Sequence, residues 1–275
     1  MQMHVIQTGT VAVPPNQRQG KGTGVLRIMN TFTDRRWTEP LPIYAWVIEH
    51  PKGVIVIDTG ETAKATEPGY FPAWHPYFKK VKEWVTPEQE VGPQLQALGI
   101  RPNDVRWVIM THLHTDHAGG LHHFPKSEIL VMRRAFELAS GFAGQVRGFL
   151  PQHWPSWFAP KLIDLAPDPF GPFPGSFQVT GTADVIIVPT SGHTDAHVSV
   201  VVKDFDTTYF FAGDASYTQR LMLDQQIDGV GLNAQAARQT LQRIRQFVQT
   251  TPTVYLPTHD PESSNRFATK SIVTF

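Results

Sequence analysis

The sequence predicts an α/β protein, a four-layer αββα sandwich. Three observations predict it. Short β-rich runs alternate with helical segments, the strand–helix order is roughly duplicated in the two halves, and 41% of the 275 residues are hydrophobic, enough for a large core. The chain reads as a single domain over residues 1–275, with an aromatic and proline-rich insertion at about 141–177.

The elements follow in order. PIYAWVIEH (42–50) and VIVIDTG (54–60) read as strands joined by a hairpin-like break at Pro51–Gly53. Residues 88–99 read as a helix closing on Gly99. RWVIMT (106–111) is a short buried strand, and EILVM (128–132) is another. In the second half, ADVIIVPT (183–190), HVSVVVK (197–203) and TTYFFAGD (207–214) read as three strands. Residues 233–249 give the clearest helix, with Leu241, Ile244, Phe247 and Val248 spaced for one face and Asn233 as its N-cap. TVYLP (253–257) is a last strand leading to His259.

The segment 141–177 stands apart. It holds eight of the 24 Phe and Trp residues and seven of the 23 prolines, with little periodicity. Two readings stay open: a packed irregular loop, or an apolar lid that forms a substrate wall.

Charge argues against a nucleic-acid partner. Lys and Arg (24) balance Asp and Glu (24), and no basic run exceeds a pair. Cysteine is absent, which excludes disulfides and thiolate ligands. The N-terminus lacks the basic-then-apolar order of a signal peptide, and no apolar run approaches ~18 residues. The expectation is a soluble cytoplasmic protein with no membrane partner.

Chemistry concentrates in THLHTDHAGG (111–120), where His112, His114, Asp116 and His117 lie together. In an extended segment His112 and His114 point the same way, and Asp116 and His117 follow as the chain turns. Ala118-Gly119-Gly120 lets backbone approach closely. Imidazole nitrogen and carboxylate oxygen suit zinc and related divalent ions. His122 and His123 read as surface residues beside the motif, and His4, His50, His75, His153 and His197 have no motif support.

The motif resembles that of the metallo-β-lactamase superfamily. The other positions of that pattern are filled in order: Asp58 in VIVIDTG, His193 in Ser-Gly-His-Thr, Asp214 in Ala-Gly-Asp, and His259 in Pro-Thr-His. The resemblance implies two divalent metal ions, zinc first, with cobalt, iron or manganese as alternatives. His112, His114 and His193 would take one, Asp116, His117 and His259 the other, and Asp214 would bridge them. Asp58 would hold a ligand histidine by its second ring nitrogen.

Within the superfamily, Tyr217, three residues after Asp214, looks like the N-acyl-homoserine lactonase branch, the quorum-quenching enzymes. That resemblance implies hydrolysis of a small lactone carrying an acyl chain. Tyr217 would contact the substrate carbonyl and Asp116 would carry the proton as base and then acid. A homodimer is open by analogy with the branch. The alternatives are a phosphotriester, phosphodiester or other ester hydrolase on the same site, and a non-catalytic metal-binding interaction module.

Overall fold

A computed structural model describes all residues, 1–275. The chain forms two compact units, Met1–Val13 with Glu39–Ile163, and Pro14–Thr38 with Asp164–Phe275.

The first unit holds a seven-stranded sheet. Its strands are β1 (Gln2–Ala12), β2 (Leu41–His50), β3 (Gly53–Ile57), β4 (Lys82–Trp84), β5 (Val105–Ile109), β6 (Glu128–Met132) and β7 (Lys161–Ile163). Their order is β4-β1-β2-β3-β5-β6-β7. From β3 across β5 and β6 to β7 all pairings are parallel. The central strands read as near-continuous apolar runs because both of their faces are covered. Val47, Ile55, Val108 and Leu130 are all buried.

The second unit holds a five-stranded sheet, β8 (Phe177–Gln178), β9 (Val185–Pro189), β10 (Val198–Asp204), β11 (Thr207–Gly213) and β12 (Thr253–Pro257), in the order β12-β11-β10-β9-β8. β9, β11 and β12 run in one direction, since β10 is antiparallel to both β9 and β11, and β11 is parallel to β12. The helix Ala234–Thr250 buries Leu241, Ile244, Phe247 and Val248, the face its spacing predicts. The Asn233 side chain caps it by accepting from the Ala236 amide.

Differences from the sequence reading have local causes. The expected strand 54–60 stops at Ile57, because Asp58 takes a left-handed conformation with φ 56°. The expected helix 88–99 splits into a 3-10 turn, Pro87–Gln89, and a helix, Val91–Ala97, because Glu90 between them is extended. Gly99 does sit just past it, at φ 79°. Unforeseen elements include β1, the helix Gly24–Thr33 and the edge strands β4, β7 and β8. β1 hides because polar residues interrupt its alternation and its pairing with β2 shifts register between Gln7 and Thr10. No helix is long and apolar enough to cross a membrane.

The aromatic segment has several fates. In the second unit Phe173 is buried in the core against Phe210 and Phe247. In the first, Trp154 stacks on Phe136, while Phe142 is 72% exposed. Phe173→Ala should therefore lower the unfolding free energy by about 3–5 kcal/mol. Phe142→Ala should change it by less than about 0.5 kcal/mol. Urea unfolding of both variants checks the contrast, and equal losses would contradict the placement of Phe173.

Candidate metal centre

In the first unit the chemistry gathers where parallel strands end. β3 and β5 are neighbours, with Ile57 opposite Ile109, so the residues that follow them emerge side by side. Asp58 follows β3 and the histidine motif follows β5. The Asp58 amide donates to the Ile109 carbonyl at 2.9 Å. Its carboxylate then accepts from the Thr111 amide, the Thr111 hydroxyl and His117 Nδ1, each at 2.8 Å. Thr59 ties back the same turn, its amide and hydroxyl both donating to the His117 carbonyl. Gly120 is needed for this closeness, because a Cβ there would lie 2.3 Å from the Thr59 carbonyl oxygen.

The histidines of the motif do converge. His112 Nε2 lies 3.0 Å from His114 Nδ1, and the His112 and His117 rings are 4.1 Å apart between centroids. His112 and His117 are buried, while His114 and Asp116 are half-buried. Because Nδ1 of His117 donates to Asp58, its Nε2 keeps a lone pair for a cation. The structure places the Asp58 carboxylate on the second ring nitrogen of His117.

The second unit supplies its own constellation. His193, Asp214 and His259 follow β9, β11 and β12, whose shared direction brings their carboxyl ends to one side. Asp214 sits between two imidazoles, with His193 Nε2 3.4 Å from one carboxylate oxygen and His259 Nε2 3.4 Å from the other. The Tyr217 ring is buried and stacks at 5.5 Å on His259.

Four supporting roles escaped the sequence reading. Asp228 accepts from His193 Nδ1 at 3.1 Å. Burial pushes its carboxyl up, but His193 and the Gly231 and Val230 amides outweigh burial and hold it below the usual range. Arg27 forms an ion pair with Asp228 at 3.6 Å and donates to the carbonyls of Asp228 and Gly231. Gln17 donates to the Tyr217 hydroxyl at 3.1 Å. His197, which had no motif support, accepts from the Asp214 amide at 3.0 Å and so fixes where that carboxylate starts. None of these carries a spacing signal: Gln17 and Tyr217 are 200 positions apart.

A buried carboxyl pair lies beside the motif. Glu61 is fully buried, and Glu83, half-buried as a residue, has a buried Oε2. Burial pushes the Glu61 carboxyl up to about 8, and the Asp116 charge adds to the rise against a hydrogen bond from the Thr62 amide. Burial, then the charges of Glu61 and Asp116, raise Glu83 as well. Two carboxylate charges in one buried place disfavour the ionised form.

Each unit thus offers imidazole nitrogens and carboxylate oxygens, with two rings oriented by carboxylates. That donor set fits borderline divalent ions. Asp58→Asn and Asp228→Asn should each weaken metal binding about 10–100-fold, measured by competition with a chromogenic chelator. Unchanged affinity in both would contradict the orienting role. The Glu61 shift has a pH consequence. The folded protein keeps a proton that the unfolded chain loses above about 4.5, so this group's contribution is complete below that pH and is lost as pH rises towards about 8. Glu61→Gln should flatten the fall in stability over that window, read by urea unfolding across pH.

The family model of the metallo-beta-lactamase superfamily matches residues 38–259. An N-acyl homoserine lactonase, AttM, of Azorhizobium caulinodans is 26% identical over 235 residues, covering 81% of this chain and 83% of its own. An N-acyl homoserine lactone hydrolase, solved with its product N-hexanoyl-L-homoserine at the catalytic metal centre, superposes with a TM-score of 0.77. It is 22% identical and covers 99% of this chain and 96% of its own. AidC, a dizinc quorum-quenching lactonase, superposes at 0.65 with 13% identity, covering 94% and 87%. These likenesses show the α/β fold with two sheets flanked by helices that the sequence predicts. The chain belongs to the metallo-beta-lactamase superfamily.

Proposed function

We propose that this protein hydrolyses the lactone ring of N-acyl homoserine lactones on two divalent metal ions, zinc by preference, and so quenches quorum signals. The observation that carries the reading is Tyr217, stacked on His259 beside the Asp214 carboxylate. The lactonases to which the chain is similar support it. The chain would work as one metallo-β-lactamase-type domain, in the cytoplasm. Its partner would be a small molecule, not nucleic acid or membrane, and a homodimer belongs to the same reading.

His112, His114 and His193 would hold one ion, Asp116, His117 and His259 the other, and Asp214 both. Bound there, the ions would supply water activated at neutral pH and positive charge for the developing oxyanion. The chain's own residues do the rest. The Tyr217 hydroxyl donates to the lactone carbonyl oxygen as charge builds on it. The Tyr217 oxygen already accepts from Gln17, which turns the phenol towards acting as a donor. Asp116 takes the proton of the attacking water. The ring C–O bond breaks, and Asp116 returns the proton to the leaving alkoxide. The water oxygen is now bonded to the former carbonyl carbon, and the product is an N-acyl homoserine with a free hydroxyl and a carboxyl group that releases its proton to solvent.

A cavity of about 520 Å³ in the first unit extends from the motif residues Leu113 and Thr115 to Leu150, Trp154 and Pro155 of the aromatic segment. It offers the acyl chain a wall. Each buried methylene contributes roughly 0.8 kcal/mol, so longer chains should bind more tightly until the cavity is full.

The test is a panel of lactones with graded acyl chains beside an aryl phosphotriester, run on metal-analysed protein. Lactones should be preferred by orders of magnitude in kcat/KM; a phosphotriester preference would move the chemistry to another branch. Tyr217→Phe should lower kcat, by up to roughly 10²-fold, with metal content unchanged. Gln17→Leu should act in the same direction but less. Full-rate turnover by Asp214→Ala would sink the proposal.

A further inference from the structure

A second group of ligand-type side chains lies outside the site already described. Glu90 precedes the helix Val91–Ala97, and His122 and His123 end the 3-10 turn Gly119–His123. His123 Nε2 lies 2.6 Å and His122 Nε2 3.1 Å from the same carboxylate oxygen, Glu90 Oε2. One ligand atom from each residue lies within 4.8 Å of the others.

The protonation logic asks for a cation here. His122 Nδ1 is 3.2 Å from the Gly119 carbonyl, which can only accept, so Nδ1 carries the proton. A neutral His122 then aims the lone pair of Nε2 at a carboxylate oxygen that also only accepts. Two lone pairs 3.1 Å apart need a positive charge between them, either a proton or a metal ion.

The group is also held as ligands are held. Glu90 Oε1 accepts from the Thr62 hydroxyl at 3.0 Å and the Ala63 amide at 2.8 Å, which leaves Oε2 for the imidazoles. The His123 ring packs where only glycine fits: a Cβ on Gly92 would lie 2.3 Å from His123 Nδ1. Burial pushes the His123 imidazole below its usual value, against the pull of Glu90. Burial pushes the Glu90 carboxyl up, but hydrogen bonds from Ala63, His123 and Thr62 outweigh it and hold it low. Both shifts favour the ligand forms, a neutral imidazole and a carboxylate.

We propose that Glu90, His122 and His123 form a further divalent-metal site, separate from the one formed by the histidine motif. Two imidazoles and a carboxylate select borderline ions such as zinc, cobalt or nickel over calcium or magnesium, which prefer all-oxygen shells. Three protein ligands leave coordination positions open. His122 also lines the 520 Å³ cavity, so an ion held here would present those positions at the cavity's edge.

The experiment counts zinc per chain. Protein loaded with zinc chloride at micromolar free metal and then desalted is analysed by mass spectrometry of the metal. Wild type should hold one equivalent more than the double variant His122→Ala/His123→Ala. The comparison is a difference, so it stands whether or not the proposed dinuclear centre is filled. His122→Ala alone removes a side chain that is 41% exposed and spares the packing of His123, and it should weaken the extra equivalent at least tenfold. Cobalt titration should show one fewer equivalent of visible absorption in the double variant. Equal zinc counts in wild type and double variant would overturn the proposal. So would a difference that appears only at millimolar zinc, the mark of casual surface binding.

Discussion

The Asp58 carboxylate is the constraint on which the first unit's site depends. It stands at the end of β3 with φ 56°, a conformation that costs a non-glycine residue about 1–3 kcal/mol. Three hydrogen bonds at 2.8 Å offset that cost. They tie together the end of β3, the second residue past β5 and a ring of the histidine motif. The bond to His117 also decides the tautomer, and so decides which nitrogen faces a metal. Were the carboxylate to shift, backbone turn, ring orientation and donor atom would shift together.

The second unit repeats the device with different parts. Asp228 orients His193 through Nδ1, and is itself fixed by Arg27 and two backbone amides. Its Asp214 is set from behind, since the Asp214 amide donates to His197, whose other nitrogen meets the Thr190 hydroxyl. Both units obey one topological rule: ligand-type residues follow strands that run in the same direction, so their carboxyl ends deliver side chains to one place. A sheet is rigid, and donors placed at its strand ends inherit that rigidity.

What the sequence revealed follows from how each feature is encoded. The motif from His112 to His117 is contiguous, so composition alone exposes it. His193, Asp214 and His259 are scattered, and only an ordered resemblance finds them. Apolar strands such as β3 and β11 are legible because burial on both faces leaves an unbroken run. β1 is not, because Gln2, His4, Gln7 and Thr10 interrupt it and its register slips. Asp228, Gln17 and Arg27 were hidden for another reason. Each acts through polar contacts to residues far away in the chain, and pairs of polar residues so widely separated have no pattern to detect. The aromatic segment defeated prediction because composition cannot say which ring turns inward. Phe173 is core, Trp154 is cavity wall and Phe142 is exposed, within one run of similar residues.

The same point sorts the carboxyl groups. Residue type makes Asp58, Glu61, Glu83, Glu90 and Asp228 look alike, yet the donors around them divide their roles. Asp58 and Asp228 each meet backbone amides and an imidazole, so each can act as the charged orienter of a ring. Burial raises Glu61 and Glu83 alike, and the nearby charge of Asp116 adds to the rise in both. Glu90 is divided: one oxygen is satisfied by Thr62 and Ala63, the other is turned to two imidazoles. Burial pushes Glu61, Glu83, Glu90 and Asp228 all in the same upward direction. The number and charge of the donors that the fold aims at each carboxyl decide which remain available as anions, and therefore which can orient a ligand or become one.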